Sequence, residues 1–204
     1  MARISDSKER LLSSALELFS ERSYANVGVQ ELCEHAGVKK GSFYYFFKSK
    51  QDLMLEALGH QSQAIDRMIL TPALGSNLPP LERIEHLFHL TYEFQKSLKE
   101  KTGRVRGCFF GNLALELSTQ DELIRHRLDR IFRMAITSIR KTVQDAVSVG
   151  DLPDIDVTST AEAILAYWQG VIMLAKVRND PGLLKELAKG AKEFAIVETK
   201  DAAA

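Results

Sequence analysis

The stretch "ANVGVQELCEHAGVKKGSFYYFFKSKQDL", residues 25–53, decides the fold that this 204-residue sequence predicts. A short helical segment from about Gly28 to His35 ends at Ala36-Gly37, and a second segment runs from about Lys39 to Phe47. Two short helices joined by a glycine-containing turn form a helix-turn-helix, whose second helix can lie in the major groove of DNA. The sequence therefore predicts a nucleic-acid-reading element within its first quarter.

The charge of this stretch supports that interpretation. The whole chain is neutral, with 27 basic against 27 acidic residues, yet the segment between Ala36 and Lys50 contains four lysines and no acid. Such a local excess can neutralise DNA phosphates, and Lys40 and Ser42 lie close enough to the start of the second helix to contact base edges. The residues predicted to contact DNA are Gln30, Lys39, Lys40, Gly41, Ser42, Tyr44, Tyr45, Lys48 and Lys50.

A second interpretation of these residues is open on charge and aromatic content alone. The lysines would then form a solvated face over an aromatic core, with no DNA contact. Phe43 and Phe47 are core residues on either interpretation.

Outside this stretch, almost every segment has a helical period, and proline and glycine residues fall between the segments. No alternating strand pattern occurs, so we predict an all-α fold of about nine helices. A helix-turn-helix domain is expected at residues 1–50, and a regulatory domain at residues 51–204. A long helix from Ser49 to about Leu70 would lead from one into the other.

Turn and capping residues predict where several helices begin or end. "TPALGSNLPP", residues 71–80, predicts a break, and Asp180-Pro181 predicts the start of the last helix. Paired capping residues predict three further starts, at Asp6 with Glu9, Ser49 with Asp52 and Thr119 with Glu122.

The first quarter of the chain resembles the TetR family of bacterial transcriptional regulators. The residues that match the family pattern in type and spacing are Tyr24, Val29, Leu32, Ala36, Gly37, Val38, Gly41, Tyr44, Phe47, Lys50 and Leu53. The resemblance implies that the protein binds a palindromic double-stranded operator, and that its C-terminal helices bind a small ligand and form a homodimer. Four positions depart from the pattern: Gly28 replaces a capping threonine, Ser23 a glycine, Cys33 a small core residue that is usually alanine, and Phe46 a phosphate-contacting histidine or tyrosine.

The segment "AEAILAYWQGVIMLAKV", residues 161–177, is apolar around most of its circumference, which predicts a helix buried on two sides. One side can face a ligand pocket, and the other can join the last helix in a four-helix bundle between two copies of the chain. A thick monomer core is the alternative. The pocket candidates, each of which can equally be a core residue, are Phe88, Tyr92, Phe109, Phe110, Leu113, Met134, Trp168 and Met173.

In "RGCFFGNLALEL", residues 106–117, Cys108 stands at the expected start of an apolar helix, beside Arg104 and Arg106. A helix N-terminus and nearby cations lower a thiol pKa, so Cys108 can be reactive, or it can be a small residue that packs at a tight turn. Together with "YWQGVIMLAK", this stretch resembles the TetR subgroup that contains the N-ethylmaleimide-responsive and acrylate-responsive repressors. That resemblance implies that Cys108 is a sensor nucleophile, that Lys176 can be its polar partner, and that the effector is apolar or electrophilic.

The sequence disfavours several other classes of protein. The low-charge run from Ala163 to Ala175 is shorter than the roughly 20 residues that span a bilayer, and neither a signal-peptide pattern nor a disulfide framework occurs, so we expect a cytoplasmic protein without membrane contact. His86 and His89 lack a matched ligand set, so we expect no metal. No base accompanies Cys108, so we expect neither enzymatic activity nor a cofactor. A helical ligand-binding protein without DNA function is the main alternative.

Overall fold

The computed structural model describes residues 2–193, and in this range the fold is all-α. A 3-10 turn, Tyr24–Asn26, precedes the second helix, and a π-helical turn, Asp66–Leu70, joins the fourth and fifth. The α-helices are α1 (Ala2–Glu21), α2 (Val29–Ala36), α3 (Lys40–Phe46), α4 (Lys50–Ile65), α5 (Thr71–Leu74), α6 (Pro80–Thr102), α7 (Phe109–Leu117), α8 (Glu122–Ser148), α9 (Val157–Arg178), α10 (Leu183–Glu186) and α11 (Gly190–Glu193).

The predicted fold class is confirmed over the described range. The helical backbone is continuous from α4 through the π turn into α5, and α10 and α11 are two short turns of the expected last helix. Counting each of these groups as one helix gives the nine helices that the sequence predicted.

The chain divides into two compact units that differ from the expected division at residue 50. The first unit comprises the residues up to Ala64 together with Phe109–Asp129, and the second comprises Ile65–Cys108 together with the chain from Arg130 onward. Most of α4 belongs to the first unit because its buried face, which includes Leu53 and Leu58, contributes to that core. Two separate stretches of chain therefore build the unit that contains the helix-turn-helix.

The core of the first unit forms around the apolar stripe of α1. Leu11 and Ala15 of this stripe are fully buried, and α1 packs against both α2 and α3. The buried hydroxyl of Ser14 donates to the carbonyl oxygen of Leu32 at 3.3 Å and lies 2.9 Å from Nδ1 of His35. These contacts fix α2 against α1 and give the helix-turn-helix a defined support.

The core of the second unit is one apolar cluster to which α6, α8 and α9 contribute. Phe88 and Trp168 are buried in it, and the Phe88 ring lies 5.8 Å from that of Tyr167. The indole N–H of Trp168 donates to Oγ1 of Thr91 at 3.1 Å, so the tryptophan is a core residue whose polar atom has a partner.

The predicted helix starts have different outcomes. Ser49 does cap α4, since its hydroxyl accepts from the amide of Asp52 at 3.1 Å. Thr119 does not cap α8: it lies in the preceding turn, and Asp121 accepts from the amide of Ile124 at 3.0 Å instead. The residue directly before α8 is Asp121, so its carboxylate is in position to accept from an amide of the first turn, whereas Thr119 lies two residues too early.

Three other expected boundaries are corrected. Asp6 lies inside α1, where it pairs with Arg10 one turn later at 3.5 Å rather than opening the helix. The break expected over residues 71–80 is confined to the loop between α5 and α6, because the helical backbone continues from the π turn through Pro72 as far as Leu74. The helix expected after Pro181 forms only the short turns α10 and α11 in the described range.

Candidate nucleic-acid interface and the Cys108 loop

The turn between α2 and α3 has the geometry that its glycine predicts. Gly37 has a φ of 61°, a left-handed conformation that favours glycine, and the N–H of Val38 donates to the carbonyl oxygen of Cys33 at 2.9 Å. Phe43 and Phe47 are buried beneath the turn. Two aromatic anchors therefore set the orientation of α3.

The outward face of α3 carries most of the residues predicted to contact DNA. Tyr44 and Tyr45 are 54% and 74% exposed, and aromatic residues this exposed are typical of binding surfaces. Lysine side chains extend from both ends of the helix, and no acidic residue lies between them in sequence. The residues on this surface, which we call the α3 surface, are Lys39, Lys40, Gly41, Ser42, Tyr44, Tyr45 and Lys48.

Helix α2 begins without a side-chain cap, as the departure at Gly28 predicts. Gly28 adopts an extended conformation there, with a φ of −90° and no side-chain hydrogen bond. Gln30, also exposed on α2, donates from Nε2 to Oε1 of Glu34 at 2.7 Å. One N–H of this amide is thus used by Glu34, and its second N–H is the donor that DNA could accept.

Lys50 points into the protein, which differs from its predicted role as a phosphate contact. Its ammonium group donates to the carbonyl oxygens of Tyr24 at 2.9 Å and Val27 at 3.0 Å, and lies 4.1 Å from the centre of the Tyr24 ring. Burial lowers the pKa of Lys50, and the negative charge of Glu116 partly opposes this shift. The physical reason for the difference is that two carbonyl oxygens and the Tyr24 ring together give the ammonium group partners on the inner side, so Lys50 holds this turn.

Glu116, near the end of α7, contacts the same turn from another direction. Its Oε1 accepts from the hydroxyl of Ser23 at 2.5 Å and from the amide of Ala25 at 3.3 Å. Ser23 has a φ of −58°, so its replacement of the usual glycine introduces no left-handed strain. The loop between α1 and α2 is thus held by a lysine of α4 and a carboxylate of α7.

Asp121 provides a second acidic contact with the start of α4. Its Oδ2 accepts from Nε2 of Gln51 at 2.6 Å. Burial, followed by the negative charges of Asp121 and Glu116, raises the pKa of Tyr24 to about 12. The first unit therefore gathers a lysine, a tyrosine and two carboxylates behind the helix-turn-helix, and sequence reasoning identified neither carboxylate.

The loop that precedes Cys108 is fixed by a buried amide. Gln95 of α6 is 2% exposed, and its Nε2 donates to the carbonyl oxygen of Gly107 at 2.8 Å while its Oε1 accepts from the Gly107 amide at 3.2 Å. Gly107 itself has a φ of 77°, which a residue with a side chain rarely adopts. The backbone conformation therefore requires the glycine of the "GC" pair. The two hydrogen bonds of Gln95 fix the position of Gly107 and so of the residue that follows it, Cys108.

A second amide holds the other end of this loop. Asn179, which caps α9 in a left-handed conformation, accepts from the amide of Val105 at 2.8 Å and donates to the carbonyl oxygen of Gly103 at 3.2 Å. Lys99 of α6 donates to the backbone oxygen of Asn179 at 2.7 Å. Loops are usually mobile, but this one is fixed by hydrogen bonds from α6 and α9.

The two thiols have different surroundings. Cys33 is buried in the first unit, and burial is the main cause that raises its pKa, with Lys40 opposing it. Cys108 is only half-buried and packs against the apolar cluster of the second unit. Because the thiolate is the nucleophile, burial makes Cys33 a poor one.

The predicted pocket residues lie in different surroundings. Phe88 and Trp168 are buried core residues, Tyr92 is half-buried under the ammonium of Lys185 (3.9 Å from the ring centre), and Phe109, Phe110 and Leu113 belong to the first unit. Three candidates differ from the prediction because they lie on outward helix faces, where they cannot line an enclosed cavity within one chain. These are Met134, Met173 and Lys176.

A groove of about 420 Å³ in the second unit has a different lining. It is bordered by Leu78, Lys185, Ala188 and one polar face of α6, which includes His86 and His89. No group of three or more histidine, cysteine or acidic side chains in residues 2–193 is arranged to hold a metal ion. None of the described helices is both long enough and apolar enough to cross a membrane.

Comparison with protein-family models identifies the class of protein. Residues 11–57 match the model described as "Bacterial regulatory proteins, tetR family", and residues 80–191 match "Tetracyclin repressor-like, C-terminal domain". The second match alone covers more than half of the chain, so the protein belongs to the TetR family of DNA-binding transcriptional regulators, which are not enzymes.

Individual relatives agree with this assignment along most of the chain. The transcriptional repressor DhaR of Mycobacterium sp. (strain GP1) is 28% identical over 85% of this chain and 84% of its own. The regulator AcuR of Cereibacter sphaeroides is 27% identical over 95% and 87%. The crystal structure of the reduced form of NemR from E. coli is similar with a TM-score of 0.79 and 26% identity, covering 93% of this chain and 97% of NemR.

Proposed function

We propose that the protein is a cytoplasmic repressor that binds a palindromic operator through the α3 surface. The observation that carries this proposal is the exposure of two tyrosines and Lys40 on α3, with exposed lysines just before and after it, on a helix that contains the buried Phe43. Lysine ammonium groups and tyrosine hydroxyls are suited to phosphate oxygens, and the start of α3 is suited to base edges. The similarity to the repressor DhaR supports repression rather than activation of transcription.

The test is a gel-shift titration on the DNA next to the gene, at several salt concentrations. Each phosphate contact that is removed should reduce the slope of log K against log salt by about 0.9. We expect this reduction in Lys40→Ala and Lys48→Ala, whereas Lys96→Ala on α6 is a matched control that should retain the full slope. Binding that is independent of salt, or unchanged in both variants, would contradict the assignment of the α3 surface.

We also propose that two copies associate through α9 and the helix that follows it. Met173 and Val177 of α9 are 54% and 77% exposed, and they share a helix face with Leu174. Apolar residues clustered in this way on a helix indicate a covered surface, and a second copy of the chain provides the same face for a symmetric contact. Reading a palindrome also requires two recognition helices about 34 Å apart, which one copy cannot supply.

Light scattering tests this association directly. The expected mass is twice 22.9 kDa, and Val177→Asp should give monomers because it places a charge in the contact. Val149→Asp is a control on an exposed valine of the loop after α8 and should leave the dimer intact. A wild-type monomer at micromolar concentration would contradict the proposed dimer.

We propose further that an electrophile releases the operator by reacting at Cys108. Three observations support this: the thiol is half-buried rather than buried, its loop is fixed by Gln95, and the other thiol, that of Cys33, has a raised pKa. The relation to NemR, solved in a form described as reduced, is in agreement with a thiol-dependent regulator. In the reaction, the thiolate sulfur bonds to the electrophilic carbon of an activated C=C bond, and the π electrons move to the neighbouring carbon, which takes a proton from water. The hydroxide formed is neutralised by the proton that the thiol lost, so the net change is addition of S–H across the double bond.

The chain provides a short route from this reaction to the helix-turn-helix. Helix α7 begins at Phe109, immediately after Cys108, and near its other end Glu116 contacts Ser23 and Ala25. A change at the start of α7 can therefore alter the loop before α2. The effector acts by population shift, and it changes operator affinity only as far as it favours one conformation over the other.

Alkylation with N-ethylmaleimide tests the sensor. We expect one reactive thiol per native chain, operator release on modification, and loss of that release in Cys108→Ser with unchanged basal operator affinity. Cys33→Ser is the matched control and should still be released. If release persists in Cys108→Ser and disappears in Cys33→Ser, the sensor is Cys33 and the proposal is wrong. Glu116→Gln tests the route, and we expect alkylation of this variant to proceed while operator release weakens.

A further inference from the structure

Arg127 of α8 has a guanidinium group without an acceptor. Among the described residues it makes neither a hydrogen bond nor an ion pair, and its Nε is buried with no partner. Arginine remains charged at any physiological pH, and a partly buried charge without a partner is unfavourable. Of the two acidic residues nearest in sequence on the same helix, Glu122 is paired with Arg125 and His126, and Asp129 has an interaction of its own.

Helix α4 is shaped to receive this guanidinium. Gly59 lies in the interior of α4, where glycine is among the least favourable residues, and a Cβ built there would overlap Nη2 of Arg127 and lie 3.5 Å from its Cζ. The absence of a side chain at Gly59 allows the planar group to lie against the helix backbone. Both residues belong to the first unit.

The position of Arg127 along α4 is defined by a second contact. Gln51 of α4 donates to Asp121, directly before α8, at 2.6 Å. Gly59 and Arg127 follow these two residues by about two helical turns, so α4 and the start of α8 run in the same direction, with one contact near each end. Gly59 therefore leaves room for the guanidinium against α4, and no described residue neutralises its charge.

We propose that Arg127 binds the carboxylate of a small anionic effector beside Gly59. A guanidinium presents its donors in a planar fork that matches the two oxygens of a carboxylate, which makes this the ligand class that fits best. The proposal rests on the proposed function, because it supplies a recognition group for the ligand of a ligand-released regulator. α4 begins four residues after α3 ends, so a ligand that moves the guanidinium from Gly59 alters the helix that leads into the α3 surface.

Thermal-shift and calorimetric titrations of the full chain test this site with propionate and benzoate as probes, each compared with its uncharged amide. We expect saturable binding of a carboxylate, at least tenfold weaker binding of its amide, and at least tenfold weaker binding of sulfate at equal ionic strength. Arg127→Gln should lose the carboxylate response, and Arg127→Lys should retain only part of it. Arg125→Gln, on the same helix and exposed, is the matched control and should bind as the wild type does.

Three results would overturn the proposal: no saturable carboxylate response, equal binding of the amides or of sulfate, or an unchanged response in Arg127→Gln. Operator binding and N-ethylmaleimide release of Arg127→Gln are measured in parallel. If the wild type fails to bind carboxylates while operator binding and N-ethylmaleimide release persist in both proteins, the carboxylate site is wrong and the proposed function stands. If the wild type binds carboxylates but no operator, the proposed function fails and the site remains.

Discussion

Replacement of Lys50 by methionine separates a structural lysine from a DNA-binding one. The change keeps the aliphatic stem but removes two hydrogen bonds to the carbonyl oxygens of Tyr24 and Val27 and the contact with the Tyr24 ring. A hydrogen bond to a charged group contributes about 1.5–3 kcal/mol, and a cation over an aromatic ring about 0.5–1 kcal/mol when it is exposed. The desolvation that lowers the pKa of Lys50 offsets part of this sum, so we expect a net loss of about 2–3 kcal/mol.

Such a loss is readily measured. For a chain of this length, each kcal/mol shifts the Tm by about 2–4 °C, so Lys50→Met should melt about 5–10 °C below the wild type. Urea denaturation followed by circular dichroism gives the free energy of unfolding independently. Lys48→Met, two residues earlier and exposed, is the control and should change the stability by no more than about 0.5 kcal/mol.

The same pair of variants also separates the two roles in DNA binding. Lys50→Met should weaken operator affinity by loosening the turn before α2, with an unchanged salt slope. Lys48→Met should reduce the slope by about 0.9 while stability is retained. If Lys50→Met instead lowers the slope by about 1 and leaves the Tm unchanged, then Lys50 contacts phosphate and the reasoning from its inward position is refuted.

Three further predictions concern other parts of the chain. Tyr24 has a pKa of about 12 in the folded protein, above its ordinary value of 10, so the unfolded chain loses this proton first. Stability should therefore fall as the pH rises from about 10 to 12. Thermal melts over this range should show a smaller fall for Tyr24→Phe. Gln95→Leu leaves the buried amide and carbonyl of Gly107 without partners, so urea denaturation should show a free energy of unfolding lower by about 2–4 kcal/mol. The rate of Cys108 alkylation should change as well. Unchanged values of both would show that other contacts hold the loop. Gly59→Ala should stabilise the protein by about 0.5–1 kcal/mol, because alanine favours the helix and only the flexible end of Arg127 must move; a loss of stability would indicate that the guanidinium is rigidly packed.

The sequence was sufficient for the elements that depend on local pattern. The helix-turn-helix, its left-handed Gly37 and the exposed Tyr44 and Tyr45 follow from spacing within about 30 residues, and the structure has each of them. Fold class follows in the same way, because helical period and breaking residues are local properties. The direction of Lys50 does not, since its acceptors lie 23 and 26 residues away and only the fold brings them together.

The groups that determine the candidate sites were missed for the same reason. Gln95 and Glu116 are ordinary polar residues on helices, and their importance comes from partners 12 and about 90 residues distant. Met173 was expected to line a pocket on the basis of size, but α9 is apolar all round, so its pattern does not reveal which side is covered within one chain. Met134 was chosen on size as well, although it lies off the apolar stripe of the amphipathic α8 that includes Ile131 and Ala135. The unpaired guanidinium of Arg127 becomes visible only when every acceptor around it has been accounted for.

The division of the chain into two interleaved units limits how this regulator can be recombined with others. A module transferred as residues 2–64 would carry every residue of the α3 surface, yet it would leave behind Glu116 and Asp121, which hold the turn before α2 and the start of α4. A chimaera with a new operator preference therefore needs both stretches of the first unit, grafted as a matched pair. For the same reason, substitutions in Phe109–Asp129 are expected to have accumulated together with those around Ser23 and Gln51 as operators diverged.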